Sequence, residues 1–324
     1  MDFGLAARER ELLSGLSEAV ERYGGQDRLF RSAVDGAFDR GLDDAIAHLL
    51  PIGAALGQRA LIVEEVARLG LPALPGPRLL VGTDALEAPP PGPVAVMDRQ
   101  RPGPVRVHND VRLVVVLDGP VATVLEIDRL PAGSTVPVES SFGYPYGHLT
   151  AEAGEPLPPN RARLVRDRWH LCLATEIAGT ARAALDEMAA HLRRRYQFGR
   201  RLADFQALRH RIAELAVTTE AAKWLAREAA WHLAPPGRPG SVDGGDRESG
   251  DAGGRHDSRA GVAAAYAREL AAGMVPELVQ LSGARGFTKE FRLHLFAMRL
   301  EGLRLELGSA DRVAAEVLRA PLTD

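Results

Sequence analysis

Two stretches of this chain repeat small and apolar side chains in steps of three and four, and no other feature constrains the fold as strongly. Between 164 and 193 the series is Leu171, Ala174, Ala178, Ala181, Leu185, Met188 and Leu192. Between 206 and 233 it is Leu208, Ile212, Leu215, Thr219, Ala222, Ala226 and Ala229. That spacing turns one helix face toward a neighbour. Two faces rich in Ala let helix axes approach closely, so the pair predicts antiparallel packing of the four-helix-bundle kind. A third helix is expected over 259–281, kinked or restarted at Pro276. GARGF follows as a turn, and a fourth helix runs from Lys289 to Leu305 with Leu293, Phe296, Ala297 and Leu300 inward. Residues 234–258 are Gly, Asp, Ser and Pro with almost no apolar side chains, which predicts a disordered loop between the second and third bundle helices.

Upstream of the bundle the texture differs. Residues 5–23 and 42–70 read as helices, the second broken at Pro51. Residues 71–92 are rich in Pro and Gly and read as a linker. From 93 to 128 come short β-branched runs (PVAVMD, VRV, VRLVVVLD, PVATVLEID), with a DG hairpin signal between the last two. They predict a small antiparallel β region that leans on helices, ending near the aromatic, Gly-rich stretch ESSFGYPYGHL. Aromatics are only 5% of the 324 residues against 46% hydrophobic overall, so the core is mainly Ala, Leu and Val, which suits packed helices.

Charge and cysteine usage exclude several classes. Net charge is −3, from 40 basic and 43 acidic residues, without the basic excess a nucleic-acid binder needs. The lone Cys172 permits no disulfide or Cys-based zinc site within the chain and reads as a core residue. His256 has no partner His or Cys, so no metal is expected. The charged start MDFGLAARERELL does not read as a signal peptide, and no apolar run is long enough to span a membrane, so a soluble, cytoplasmic protein is expected.

Three segments resemble the acyl-CoA dehydrogenase family. RRRYQFGRRLADFQALRHRIAELA (193–216) is similar to the family's R-x-x-F-G stretch through Arg195, Phe198, Gly199, Leu202, Gln206, Ile212, Ala213 and Glu214. LATEIAGTARAALDEM resembles the preceding family helix. QLSGARGFTKEFRLHLF resembles the Q-x-x-G-G-x-G-[FY] segment through Gln280, Gly283 and Gly286, with Ala284 replacing the second Gly and Arg285 following. The residue types suit a dinucleotide: an Arg fork meets pyrophosphate bidentately, and Gly lets backbone approach a ligand. The resemblance implies that Arg195, Phe198, Gln206, Gln280, Gly283 and Gly286 bind the FAD of a neighbouring subunit. Without it, Arg195 belongs to a solvated basic run, Gln206 caps a helix start, and the Gly residues of GARGF end a helix.

The same resemblance implies a mainly α fold. An N-terminal helical domain (1–75) precedes a truncated middle β-domain with linkers (76–160) and a C-terminal four-helix bundle (161–324). Two hallmarks of the family's middle domain are missing: a T-E-P-x-A-G-S-D type segment and a W-[IV]-[ST] strand. The family's catalytic Glu also has no clear counterpart. Counting from Gly286 and Phe287, its position falls on Leu307, with Glu306 one residue early. In a second subgroup it falls on Trp169, with Asp167 and Glu176 nearby. Glu176 and Glu306 are therefore the weak candidates for a base, and surface positions are the plain alternative for Glu176 and Glu301. The resemblance favours a shortened partner of a full-length acyl-CoA dehydrogenase in an α2β2 assembly, as in steroid side-chain enzymes. The alternatives are a self-sufficient oligomeric dehydrogenase acting on an acyl-CoA or acyl-carrier thioester, and a flavin-free interaction protein.

Overall fold

The computed structural model describes residues 5–51, 53–83, 90, 92–101, 103–107, 111–126, 133–150, 154–234 and 259–318. The loop expected over 234–258 lies, apart from Ala234, outside the described residues, as does His256.

Four short helices open the chain: α1 (Ala7–Arg22), α2 (Gln26–Val34), α3 (Arg40–His48) and α4 (Leu56–Leu69). The expected breaks hold, but α2 is an addition. Its Leu29, Phe30 and Ala33 are buried, so tertiary packing stabilises a helix too short to stand alone. Asp39 caps α3 by accepting from the Leu42 N–H at 3.0 Å. Gly70 ends α4 in the left-handed conformation, at φ 67°, against Phe30 and Phe296.

The expected linker over 71–92 is corrected in its first half. Leu71, Leu74, Leu79, Leu80 and Val81 are core residues, and Pro77–Gly82 form a wide helical turn. Gly76 lies in a slot where a Cβ would come within 2.7 Å of Cys172 Sγ and Glu176 Oε1. Here glycine serves close approach rather than flexibility.

The β region is also corrected in one respect. Strand β1 (Val94–Asp98) pairs in parallel with β3 (Leu113–Asp118), so the region is mixed rather than antiparallel. The DG turn closes the expected hairpin from β3 to β4 (Val121–Glu126), and β7 (Glu155–Pro156) extends that sheet in the order β1-β3-β4-β7. A second sheet holds β2 (Val105–Arg106), β6 (Tyr146–Leu149) and β5 (Thr135–Val138), all antiparallel. Ala95, Val105, Val107, Val111, Val114 and Val116 form a small apolar core of their own.

The bundle is α5 (Pro159–Arg194), α6 (Gln206–His232), α7 (Arg259–Ser282) and α8 (Leu293–Leu307), followed by α9 (Ala310–Leu318). Every residue of the first predicted stripe is buried, from Leu171 to Leu192. In the second, Thr219, Ala222, Ala226 and Ala229 are buried and the earlier members half-buried. Helix α7 continues through Pro276 without a restart. Gly179 on α5 faces the Glu64 carbonyl of α4, so closely that any Cβ would collide with it.

Candidate functional site

The two carboxylates picked out as possible bases meet on one guanidinium. In the alternating pattern of a strand, Val105 and Val107 turn into the small sheet core, which sends Arg106 the other way, toward the bundle. There Arg106 donates to Glu176 from Nη1 at 3.1 Å and Nη2 at 2.8 Å, and its Nε lies 2.8 Å from Glu306 Oε1. Tyr144 and Trp169 flank the guanidinium at 5.1 and 5.7 Å. The Tyr146 hydroxyl donates to Glu306 Oε1 at 2.7 Å. Arg106 is 5% exposed and Glu176 4%. Glu176 is thus not the surface carboxylate of the plain alternative, and Glu306 reaches the same guanidinium. Glu301 does pair at the surface, with Arg304.

Burial governs the electrostatics of this cluster. It acts to lower the pKa of Arg106, but the adjoining carboxylates outweigh it and hold the guanidinium firmly charged. Burial raises the Glu306 carboxyl above its ordinary range, against the pull of Arg106 and Tyr146. It also pushes the Tyr146 hydroxyl and the Cys172 thiol well up. Cys172 is therefore a core thiol, as its sequence position implies. Arg299, buried beside Tyr144, donates to the Gly143 and Leu71 carbonyls and ties the loop before β6 to α8. Arg106, Tyr144, Tyr146 and Arg299 escape sequence reasoning. VRV and YPYG carry no sign that α5 and α8 cover their inner face.

The residues matched to dinucleotide binding lie elsewhere, roughly 28 Å along α5 from Glu176 at 1.5 Å per residue. Arg195 ends α5 in extended conformation, and its carbonyl accepts from the Leu202 N–H at 2.9 Å. Between them runs a hairpin, β8 (Tyr196–Gln197) paired with β9 (Arg200–Arg201). Its turn needs positive φ at both central residues, 54° at Phe198 and 77° at Gly199. Phe198, 85% exposed, is held in this unfavourable conformation at the tip, edge-on to Phe205 at 6.2 Å. Gln206 opens α6 immediately after Phe205.

The second matched segment closes on the first. Gln280 is exposed on the last turn of α7, and Gly283, at φ 59°, ends that helix in the left-handed conformation. Gly286 is buried where a Cβ would collide with Ser282. Arg285, between them, stands over the Phe291 ring at 5.3 Å, and Phe291 packs on His191 at 5.2 Å. Burial lowers the His191 pKa, and the charges of Arg285, Arg195 and Arg194 lower it further. Two segments about 90 residues apart in sequence thus bring Arg194 and Arg195, at the end of α5, and Arg285 to the same end of the bundle. Arg194 and Arg195 have no ion pair among the described residues. Such a cluster favours a bound anion.

Residues 162–320 match the family model described as acyl-CoA dehydrogenase, C-terminal domain. The C-terminal half of the chain is an acyl-CoA dehydrogenase C-terminal domain. The chain is 26% identical to acyl-CoA dehydrogenase IpdE2 of Mycobacterium tuberculosis, over 97% of this chain and 98% of that protein. Other relatives match over less than half of this chain. Among solved structures, the ChsE4–ChsE5 complex from Mycobacterium tuberculosis superposes with a TM-score of 0.76 at 14% identity, covering 98% of each chain. The Tcur3481–Tcur3483 steroid ACAD superposes at 0.73 and 21%, covering 96% of this chain and 97% of that one. The mainly α fold with a small β region and a C-terminal bundle is therefore that of the acyl-CoA dehydrogenases. These are oxidoreductases, and the family's members bind FAD. Among the described residues no helix is long and apolar enough to cross a membrane, and no three His, Cys, Asp or Glu side chains group as metal ligands.

Proposed function

We propose that this chain is one subunit of a flavin-dependent acyl-CoA dehydrogenase, lending its bundle end to an FAD held mainly by a second polypeptide. The observation that carries this reading is that Arg194 and Arg195 close the last turn of α5 beside His191, where Phe291, with Arg285 over its ring, packs on the same imidazole. A pyrophosphate supplies the charge this cluster lacks, and guanidinium forks match its geometry. Phe198 offers an exposed ring, Gln206 and Gln280 offer amides, and Gly283 leaves the backbone open, with nothing within 4 Å of where a Cβ would stand. These residues fit the adenosine and pyrophosphate half of the cofactor. The bound flavin would take up the hydride from the acyl β-carbon.

The α-proton needs a free carboxylate within reach. Glu176 and Glu306 suit that role poorly, because both are committed to Arg106 and the space between them is filled by its side chain. We therefore assign the base, and most of the acyl pocket, to a full-length acyl-CoA dehydrogenase partner in an α2β2 assembly. The names of the ChsE4–ChsE5 complex and the Tcur3481–Tcur3483 steroid ACAD accord with a two-chain enzyme, and the latter with a steroid-linked acyl thioester.

The test is purification with and without a full-length family member, reading mass, flavin absorbance and turnover. Both chains together are expected to be yellow and active. Turnover by this chain alone overturns the reading in favour of a self-sufficient enzyme, which the raised pKa of Glu306 favours as a proton acceptor. An assembled complex whose flavin content does not depend on this chain points to a flavin-free interaction protein.

A further inference from the structure

The guanidinium of Arg106 and the groups that grip it come from different parts of the fold. Its strand, β2, is two residues long and pairs with β6 at Val105 and Arg106. The grip stands elsewhere. Glu176 and Trp169 belong to α5, Glu306 to α8, Tyr146 to β6 and Tyr144 to the loop before it. Two glycines outside β2 make room for these groups. A Cβ at Gly76 would come within 2.7 Å of Glu176 Oε1, and one at Gly302 within 3.0 Å of the Tyr146 hydroxyl. Apart from the guanidinium itself, β2 supplies none of these parts.

The arrangement selects a cation by shape as well as by charge. Glu176 accepts from two nitrogens, Nη1 at 3.1 Å and Nη2 at 2.8 Å. Glu306 takes the third, with its two oxygens 2.8 and 3.0 Å from Nε. The Tyr146 hydroxyl fixes that second carboxylate. The rings of Tyr144 and Trp169, at 5.1 and 5.7 Å, lie within the range of cation–π attraction. Carboxylates set against all three nitrogens match a planar guanidinium, whereas an ammonium is a point charge without that fork.

We infer that this space is a preformed binding site for a guanidinium ion or a short alkylguanidinium, held shut in the intact chain by Arg106 as its own intramolecular ligand. A tethered ligand has a high effective concentration, so a free one at millimolar levels does not displace it. Truncating Arg106 to alanine removes the ligand and leaves both carboxylates, the rings and the two glycines. Buried carboxylates without a counter-ion are costly, and a matching cation relieves that cost. Guanidinium is also more weakly hydrated than an ammonium, which eases its entry into a closed site. The inference is independent of the flavin reading, because it needs neither cofactor nor a second polypeptide.

The test is thermal melting of the full chain carrying Arg106→Ala, at a pH of about 8 to favour ionised carboxylates. Guanidinium chloride is added up to about 50 mM, where its denaturing action is slight. The melting temperature of the variant is expected to rise by a few degrees and then saturate, as for a ligand that binds only the folded state. Methylguanidinium is expected to act alike. Urea, planar but uncharged, and sodium chloride are expected to give no such rise, and the wild-type chain none with any of them. A flat melting temperature for the variant overturns the proposal, as does an equal rise in sodium chloride or in the wild type. Arg106→Ala combined with Glu176→Gln, which neutralises one stranded carboxylate, covers the case in which the single variant does not fold. It is expected to show the same saturable rise with weaker affinity, and no rise overturns the proposal. Failure of both variants to fold with or without guanidinium would show that the walls are not preformed, and overturns it too.

Discussion

Arg106 on a two-residue strand and Glu176 in the middle of the longest helix share two hydrogen bonds, 3.1 and 2.8 Å, with both side chains closed off from water. The pair joins the small sheet to the bundle, and Glu306 and Tyr146 complete it. Removing the cation strands two buried carboxylates. Arg106→Leu is therefore expected to lose roughly 3–5 kcal/mol of stability near neutral pH, read as a shift in urea midpoint. The loss should shrink at low pH, where stranded carboxylates take up protons. It should also shrink when Glu176→Gln is combined with it. An additive double variant would deny the coupling.

Glu306→Gln keeps an acceptor for Tyr146 and the shape of the site. Because Glu306 is committed to Arg106 and Tyr146, turnover of the assembled enzyme is expected to change by less than tenfold. A fall of a hundredfold or more, the scale of a missing general base, would make Glu306 the base and favour the self-sufficient reading.

Arg195→Ala and Arg285→Ala are each expected to lower the flavin retained by the assembled complex after gel filtration. Both charges act on the same small region beside His191. Flavin content unchanged in both variants would withdraw the anion site from this end of the bundle.

Asp43 is a second buried acid, and its pH dependence has a definite sign. Burial pushes its carboxyl up from 3.8 to about 6, against the Leu74 N–H it accepts from and the nearby Arg78. The folded state therefore binds a proton more tightly than the unfolded chain. This contribution is present in full below about pH 4 and is lost as pH rises through 6, a swing of roughly 2–3 kcal/mol. Asp43→Asn keeps the acceptor and removes the titration. Thermal melts across that window should show a flatter profile for the variant, with a gain in stability above pH 6.

Gly179→Ala tests the closest helix contact. The added methyl meets the Glu64 carbonyl of α4. A loss of about 1–3 kcal/mol is expected, the usual cost of overpacking. An unchanged melting temperature would mean that the α4–α5 spacing is looser than the structure has it.

The sequence by itself determined the bundle and the signature of a family. Steps of three and four in Ala and Leu specify which helix face is buried whatever it packs on. That is why Leu171 through Leu192 and Thr219 through Ala229 are all found inside, or partly so. Local turn chemistry was legible too: the Asp118–Gly119 turn closes its hairpin, and Gly283 ends its helix. Only the tertiary structure decided the rest, because it depends on residues far apart in sequence. The parallel pairing of β1 with β3 leaves no local pattern. Pro and Gly in 71–82 read as flexible until Cys172 and Glu176 close over Gly76. Glu176 looks like a surface group until Arg106 reaches it, and Arg285 gains meaning only beside Phe291 and His191. A buried charge is set by what surrounds it, and its surroundings are assembled only by folding.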